Sequence, residues 1–371
     1  MKLVNFALSF GMIFLGFYIL AIGKDFLLPL VIAIVFWYLS LTLASGYEKI
    51  KIKSFQMPHW GALLLSLITF FFFFWFIYSL IMTNTAGLMR DSFKYQDKFF
   101  SLVASIDAWL SNLYDLLNIE VADPPTLKSL IGDVNIPGLL SSMGTILLGL
   151  IKVIASYMGM ILIYLIFLFL EHRTFDKKIA ALTASKKGRK DAMELIEEIG
   201  KDINLYLTIK TLASFGTAMI SYFVLQIIGV DFAAFWALLI FLLNYIPTVG
   251  SIIAVVFPFL FAFIQFDTVY PAFIVGILLV GIQFVMGNVV EPKMQGQSLN
   301  LSPLVIVLSL VFWGKIWGIA GAFLCVPIMV IINIILSRFP TTRPIAILLS
   351  ANGKILSAGS KQKLSKMKTP A

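Results

Sequence analysis

The run LLLSLITFFFFFWFIYSLIM, residues 63–82, decides what this chain can be. It carries no charge over about 20 residues, the length a helix needs to cross a hydrocarbon core of roughly 30 Å. A water-soluble core has no use for so much unbroken apolar surface. In a bilayer every backbone N–H and C=O must be paired internally, which only helices and closed barrels achieve. Uniformly apolar runs of this length suit helices, so the expected fold class is an all-α, polytopic membrane protein. Composition agrees, since 60% of the 371 residues are hydrophobic and only 13% are charged.

Hydropathy places spans at 3–22, 26–44, 60–83, 142–170, 206–229, 232–246, 251–266, 270–290 and a closing pair, 302–313 and 316–337. The chain is thereby divided into N-terminal transmembrane helices (1–83), an amphipathic segment (84–141), a further span (142–170), a linker (171–205), a C-terminal transmembrane core (206–337) and a basic tail (338–371). A net charge of +9 would suggest nucleic acid in a soluble protein. Here the Lys and Arg residues flank apolar spans, so they read as topology signals, the bilayer is the expected partner and no nucleic acid is. With a cytoplasmic N-terminus, the Lys/Arg-rich segments 45–59, 171–205 and the tail all fall on the cytoplasmic side, and the C-terminus with them. A signal peptide is the other reading of the first 24 residues, but no small-residue cleavage site is apparent.

Segment 84–141 holds seven acidic residues against four basic ones and falls on the opposite, extracytoplasmic side. Within it Phe93, Phe100, Val103, Ile106, Leu110, Leu113 and Leu117 recur at helical spacing, so an amphipathic helix is expected, broken at Asp123-Pro124-Pro125. Its apolar face should dock on the membrane domain or a neighbouring subunit; a receptor for an external partner, or a lid, is the alternative. In the linker, DAMELIEEIGKDINLYL reads as a helix running from water into the membrane. The final KQKLSKMKTPA, with four Lys and no acid, reads as a strip lying on anionic lipid.

Two spans are interrupted. Between the short segments 232–246 and 251–266 stand Asn244, Tyr245, Pro247 and Gly250, and Pro removes a backbone donor while Gly permits a turn. The second interruption, WGKIWGIAG, carries Gly318 and Gly321, with Pro327 further on. Broken backbone is tolerated in a membrane only inside protein or beside water, so two such segments are expected to be re-entrant or broken hairpins around a transport pathway; ordinary helical hairpins with tight turns are the alternative. Between them lie Gln283, Asn288 and Glu291, polar groups in an apolar span and therefore pathway candidates. Asn288 and Glu291, three residues apart, are expected on one helix face, with Pro292 ending the helix. Glu291 reads either as a proton or monovalent-cation site or as an interfacial carboxylate that pairs with a lysine, Lys293 being two residues on, or caps backbone. Lys152 and Lys210 are expected to snorkel towards water; for Lys210, with Asp202 eight residues earlier and Tyr206 four earlier, a buried partner is the alternative.

A lone Cys325 and two distant histidines provide no metal site, and no phosphate loop, dinucleotide fingerprint or hydrolase motif is present. No cofactor and no enzymatic activity are expected, and any driving force should come from a gradient.

The sequence from 200 to 337 resembles the autoinducer-2 exporter family of bacterial membrane proteins, with NYIPTVG, NVVEPKMQG, LSPL and WGIAGAFLCVP in that family's order and spacing. The resemblance implies a multi-span transporter of the bacterial inner membrane, homo-oligomeric, with a pentamer one option, linked to export of autoinducer-2 or to exchange of sodium or lithium for protons. By motif position it directs interest to Asn244, Pro247, Gly250, Asn288, Glu291, Pro292, Gly318, Gly321 and Pro327. Many relatives carry a second acidic residue where this chain has Gly287. The leading expectation is a gradient-driven exporter of small polar molecules. A cation/proton antiporter follows it, and a membrane scaffold acting through 84–141 is a third reading.

Overall fold

The computed structural model describes residues 2–49, 51–52, 55–117, 126–132, 134–183, 185–295 and 300–353. They form helices almost throughout. α1 (Lys2–Ile22) and α2 (Lys24–Lys49) precede a small antiparallel pairing of β1 (Lys51–Ile52) with β2 (Phe55–Gln56). There follow α3 (His59–Arg90), α4 (Ser92–Leu116), α5 (Leu127–Ile131), α6 (Ile136–Leu182), α7 (Lys186–Ile228), α8 (Ala233–Leu243) and α9 (Val249–Gln265). Next come α10 (Tyr270–Val285), a π-helical turn (Met286–Val290), α11 (Glu291–Gln295), α12 (Pro303–Arg338) and α13 (Arg343–Leu349). Among the described residues, five helices are long and apolar enough to cross a membrane: α2, α3, α7, α10 with its continuation to Gln295, and α12. The expected all-α polytopic fold is therefore the one observed.

α3 shows how a bilayer changes the usual pattern. Phe71, Phe72, Trp75 and Phe76 are exposed on it, while Ala62, Ser66 and Ile81 are buried, so most of its circumference is left for lipid.

Segment 171–205 is helical over nearly all its described length, and the helix expected at 191–207 lies within α7. α6 continues to Leu182, and α7 starts at Lys186, capped by Ser185 Oγ accepting from the Gly188 N–H at 3.0 Å. Charged residues favour helix when they pair one turn apart, as Lys201 does with Glu197 at 2.5 Å.

α7 is the spine of the C-terminal half. At its middle, Ile203, Tyr206 and Leu207 enter an apolar core built with Leu28, Trp313, Trp317 and Val330. Near its end, Leu225 enters a second core with Trp236, Phe261, Ala272 and Leu279. Between the two, Ser214, Thr217 and Ser221 are buried at helical spacing, small residues that let neighbouring helices approach closely.

Each core is organised round a helical hairpin. α8 and α9 form the first, and its open end is tied by Gln265, whose Nε2 donates to the Gly229 carbonyl at 2.8 Å while its Oε1 accepts from the Asp231 N–H at 2.8 Å. α12 forms the second: Gly318, with φ 64° and ψ −144°, breaks it into limbs 303–317 and 319–338. The open end of this hairpin is clasped by the last residue of α13 and the residues just after it, with Ser302 N–H donating to Leu349 O at 2.9 Å and Ala351 N–H to Asn300 O at 3.2 Å. The first base lies at the C-terminal end of α7, and the second lies at its N-terminal end, where Arg338 pairs with Glu198. The hairpins thus approach from opposite ends of one long helix.

α4 is the expected amphipathic helix, and it docks on the first hairpin. Tyr95 is buried against Phe261 with ring centroids 5.1 Å apart, and its hydroxyl donates to Asp231 Oδ2 at 2.9 Å. Lys98 Nζ donates to the Gln265 carbonyl at 2.9 Å. The docked stripe centres on Tyr95, Leu102 and Val103, so Phe93, about 200° away round the helix, is exposed at 72%. The expected break at 123–125 and the segment 361–371 lie outside the described residues.

Candidate transport site

The tip of the first hairpin is a strained turn. α8 ends at Leu243, and Thr248 takes φ 59° and ψ −61°. The Val249 N–H reaches back to the Pro247 carbonyl at 2.6 Å, the hydrogen bond of a γ-turn of the rare positive-φ kind. Such backbone persists only where its surroundings over-determine it. Gly250 is required by proximity, because a Cβ there would stand 1.8 Å from the Leu243 carbonyl oxygen.

Side chains of the tip face neighbouring helices. Asn244 is buried and accepts from Gln283 Nε2 on α10 at 3.1 Å. The Tyr245 hydroxyl shares a 2.7 Å hydrogen bond with Thr211 Oγ1 on α7. The Tyr245 ring stacks on Phe323 of α12, with centroids 5.5 Å apart and planes 16° from parallel. The two hairpins therefore touch through this pair. At 1.5 Å per residue, Thr211 lies about 27 Å along α7 from the base of the first hairpin at Gly229, so its tip reaches deep across the span.

The second break repeats the device. A Cβ on Gly321 would stand 2.0 Å from the Trp313 carbonyl oxygen, so the returning limb crosses the end of the first limb at backbone contact. Pro327 is buried in the returning limb and supplies no donor to the carbonyl one turn back, that of Phe323.

Glu291 does not pair with Lys293, which is exposed on α11. Its partner is Lys210 on α7, whose Nζ lies 2.8 Å from Oε1 and 2.9 Å from Oε2. The two side chains are only 11% and 19% exposed, so the pair is largely withdrawn from solvent. Gln295 Nε2 adds a third donor to Oε1 at 3.1 Å. Lys210 is thus buried and paired, not snorkelling.

The π turn explains how Glu291 is placed. Pro292 does not end the helix; it is the second residue of α11. In the turn before it the hydrogen bonds widen, with the Glu291 N–H donating to Met286 O, five residues back. A proline ring would clash with the carbonyl four residues earlier in a regular helix, and the wider turn relieves that conflict. It also shifts the helical phase. Asn288, expected beside Glu291, is exposed and donates to its own Phe284 carbonyl at 3.1 Å.

The structure therefore gathers Thr211, Asn244, Tyr245 and Gln283 where the two hairpins meet, sets the Lys210–Glu291 pair beside them through Lys210, the neighbour of Thr211 on α7, and leaves Asn288, Pro292 and Lys293 outside. Thr211 carries no sequence signal that marks it out. Lys210 does: it is the single basic residue of span 206–229, as Glu291 is the single acidic residue of 270–300. Among the described residues no group of three His, Cys, Asp or Glu side chains is arranged to hold a metal ion.

Two helical hairpins that touch at Tyr245 and Phe323, in a fold of helices long and apolar enough to cross a membrane, make this a polytopic helical membrane protein. The chain belongs to the AI-2E transporter family, whose model matches residues 8–341. It is 31% identical over 297 residues to a candidate transport protein of Haemophilus influenzae, covering 79% of this chain and 82% of that one. A second candidate transport protein, from Borreliella burgdorferi, is 34% identical over 230 residues, 61% of this chain and 62% of its own. The AI-2 transport protein TqsA of Escherichia coli is 34% identical over 211 residues, 56% of this chain and 60% of its own. These names describe transport, not catalysis.

Proposed function

We propose that this protein is a gradient-driven carrier of small polar molecules, with an autoinducer-2-like solute as its leading substrate. The observation that carries the reading is the polar seam: the Thr211 and Tyr245 hydroxyls and the Asn244 and Gln283 amides satisfy one another where the hairpins meet. A hydroxyl-rich solute can exchange those hydrogen bonds for its own, so entry leaves few buried groups unpaired. Broken backbone beside the seam offers further donors and acceptors. The similarity to a protein named for AI-2 transport supports the same substrate. The protein works as a homo-oligomer in the bacterial inner membrane, with both termini in the cytoplasm.

The test is autoinducer-2 entry into liposomes holding the purified protein. Wild type should exceed empty liposomes. Asn244→Leu should abolish the excess, and Asn288→Leu, which changes an exposed side chain, should retain it. Equal flux in wild-type and empty liposomes removes autoinducer-2 as substrate, and the reverse pattern between the two variants moves the pathway away from the seam.

A second reading, sodium or lithium exchange for protons, draws on one observation, the Glu291 carboxylate held largely away from water. Added sodium or lithium would then shift a pH-sensitive dye inside wild-type liposomes but not in Glu291→Gln.

A further inference from the structure

The front of the Glu291 carboxylate is already full. Lys210 Nζ spans both oxygens at 2.8 and 2.9 Å, and Gln295 donates to Oε1 at 3.1 Å. A metal cation needs oxygen acceptors in that space, and what stands there is an ammonium and an amide N–H. The ammonium belongs to the same chain, so it competes at the effective concentration of a tethered ligand.

We propose that Lys210 determines the coupling ion: its ammonium occupies the cation position at Glu291, so the site accepts a proton and refuses sodium or lithium. This rests on the carrier reading above. A proton needs no vacancy, because it adds to a carboxylate lone pair. Once Glu291 is neutral, the buried Lys210 ammonium has lost the carboxylate that faces it, and α7 is released from α11.

The other groups round the pair support a two-member switch. Tyr206, buried one turn before Lys210, is within electrostatic range of Glu291, Tyr245 and Cys325. Two phenols and a thiol carry no charge near neutral pH in their ordinary state. Asp202 is buried two turns before Lys210 on α7, and Lys293 is exposed on the carboxylate's own helix. The charge that a proton at Glu291 changes is therefore felt first by Lys210.

The first experiment measures saturable binding of radioactive sodium to the purified full-length protein, with no transported solute present. Wild type should bind none. Lys210→Gln should gain a sodium site, and Lys210→Gln combined with Glu291→Gln should lose it again. Sodium binding by wild type that Glu291→Gln removes overturns the proposal, as does a folded Lys210→Gln protein that gains no site.

A second measurement needs no variant. An inward proton gradient should accelerate autoinducer-2 entry into wild-type liposomes, and a sodium gradient at clamped pH should leave it unchanged. Acceleration by sodium alone overturns the proposal. If autoinducer-2 does not cross at all while the sodium-binding pattern holds, the substrate assignment fails and the role of Lys210 stands.

Discussion

At the scale of single residues, Gly250 and Gly321 hold the two hairpins for one reason. Each lies where a returning helix meets a carbonyl of the helix before it, with 1.8 and 2.0 Å available to a Cβ that needs more than 3 Å. Gly250→Ala or Gly321→Ala should cost about 3 kcal/mol or more, because the obstacle is backbone and cannot rotate away. Gly287→Ala, where a Cβ meets open space, should be neutral. Melting of the purified variants in detergent separates the cases. The glycines and Pro247 were legible in the sequence, because breakers inside an apolar run have few structural explanations. Lys210 and Glu291 each stood out as a lone charge in its span, but their pairing was not legible, since they lie 81 residues apart and Asp202 and Tyr206 are nearer to Lys210 in sequence. Nor was the π turn, whose extra residue separates Asn288 from Glu291 by a phase that regular helix geometry does not contain.

At the scale of elements, α4 shows how a polar helix outside the apolar spans is fixed to the membrane core. Burial first, and then the hydrogen bond to Asp231, push the Tyr95 phenol well above its usual range. The neutral phenol is the form that docks. Its contribution is therefore complete below the unfolded tyrosine range near pH 10 and is lost as pH rises above it. Wild-type protein should lose thermal stability between about pH 9.5 and 11 more steeply than Tyr95→Phe, which keeps the ring but has no proton to lose. At neutral pH the same variant should be weaker by about 1 kcal/mol, the worth of one hydrogen bond. Equal slopes in the two proteins would place the alkaline transition elsewhere. The amphipathic period predicted α4 and a docked face, but the face is set by Tyr95 and its partner Asp231, a contact across 136 residues that periodicity cannot register.

At the scale of the whole molecule, α7 joins two cores, each with its own hairpin and its own fastening. Gln265 fastens the first from within the hairpin. The second is fastened by the end of α13 and the residues just after it, in a stretch whose composition reads as tail. Ending the chain after 342 should open the base of the second hairpin and abolish transport, whereas ending it after 353 should leave the clasp intact. Autoinducer-2 flux and protein yield from the two truncations test this directly.

The position of that clasp also sets an order in time. A chain is made from its N-terminus, and earlier units fold while later ones are still being added. The base of the first hairpin can be tied once residue 265 has emerged, but residues 300–302 must wait for 349–351. The newly inserted protein therefore passes through a stage in which the base of one hairpin is tied and the other stands open, until residues 349–351 emerge and close it.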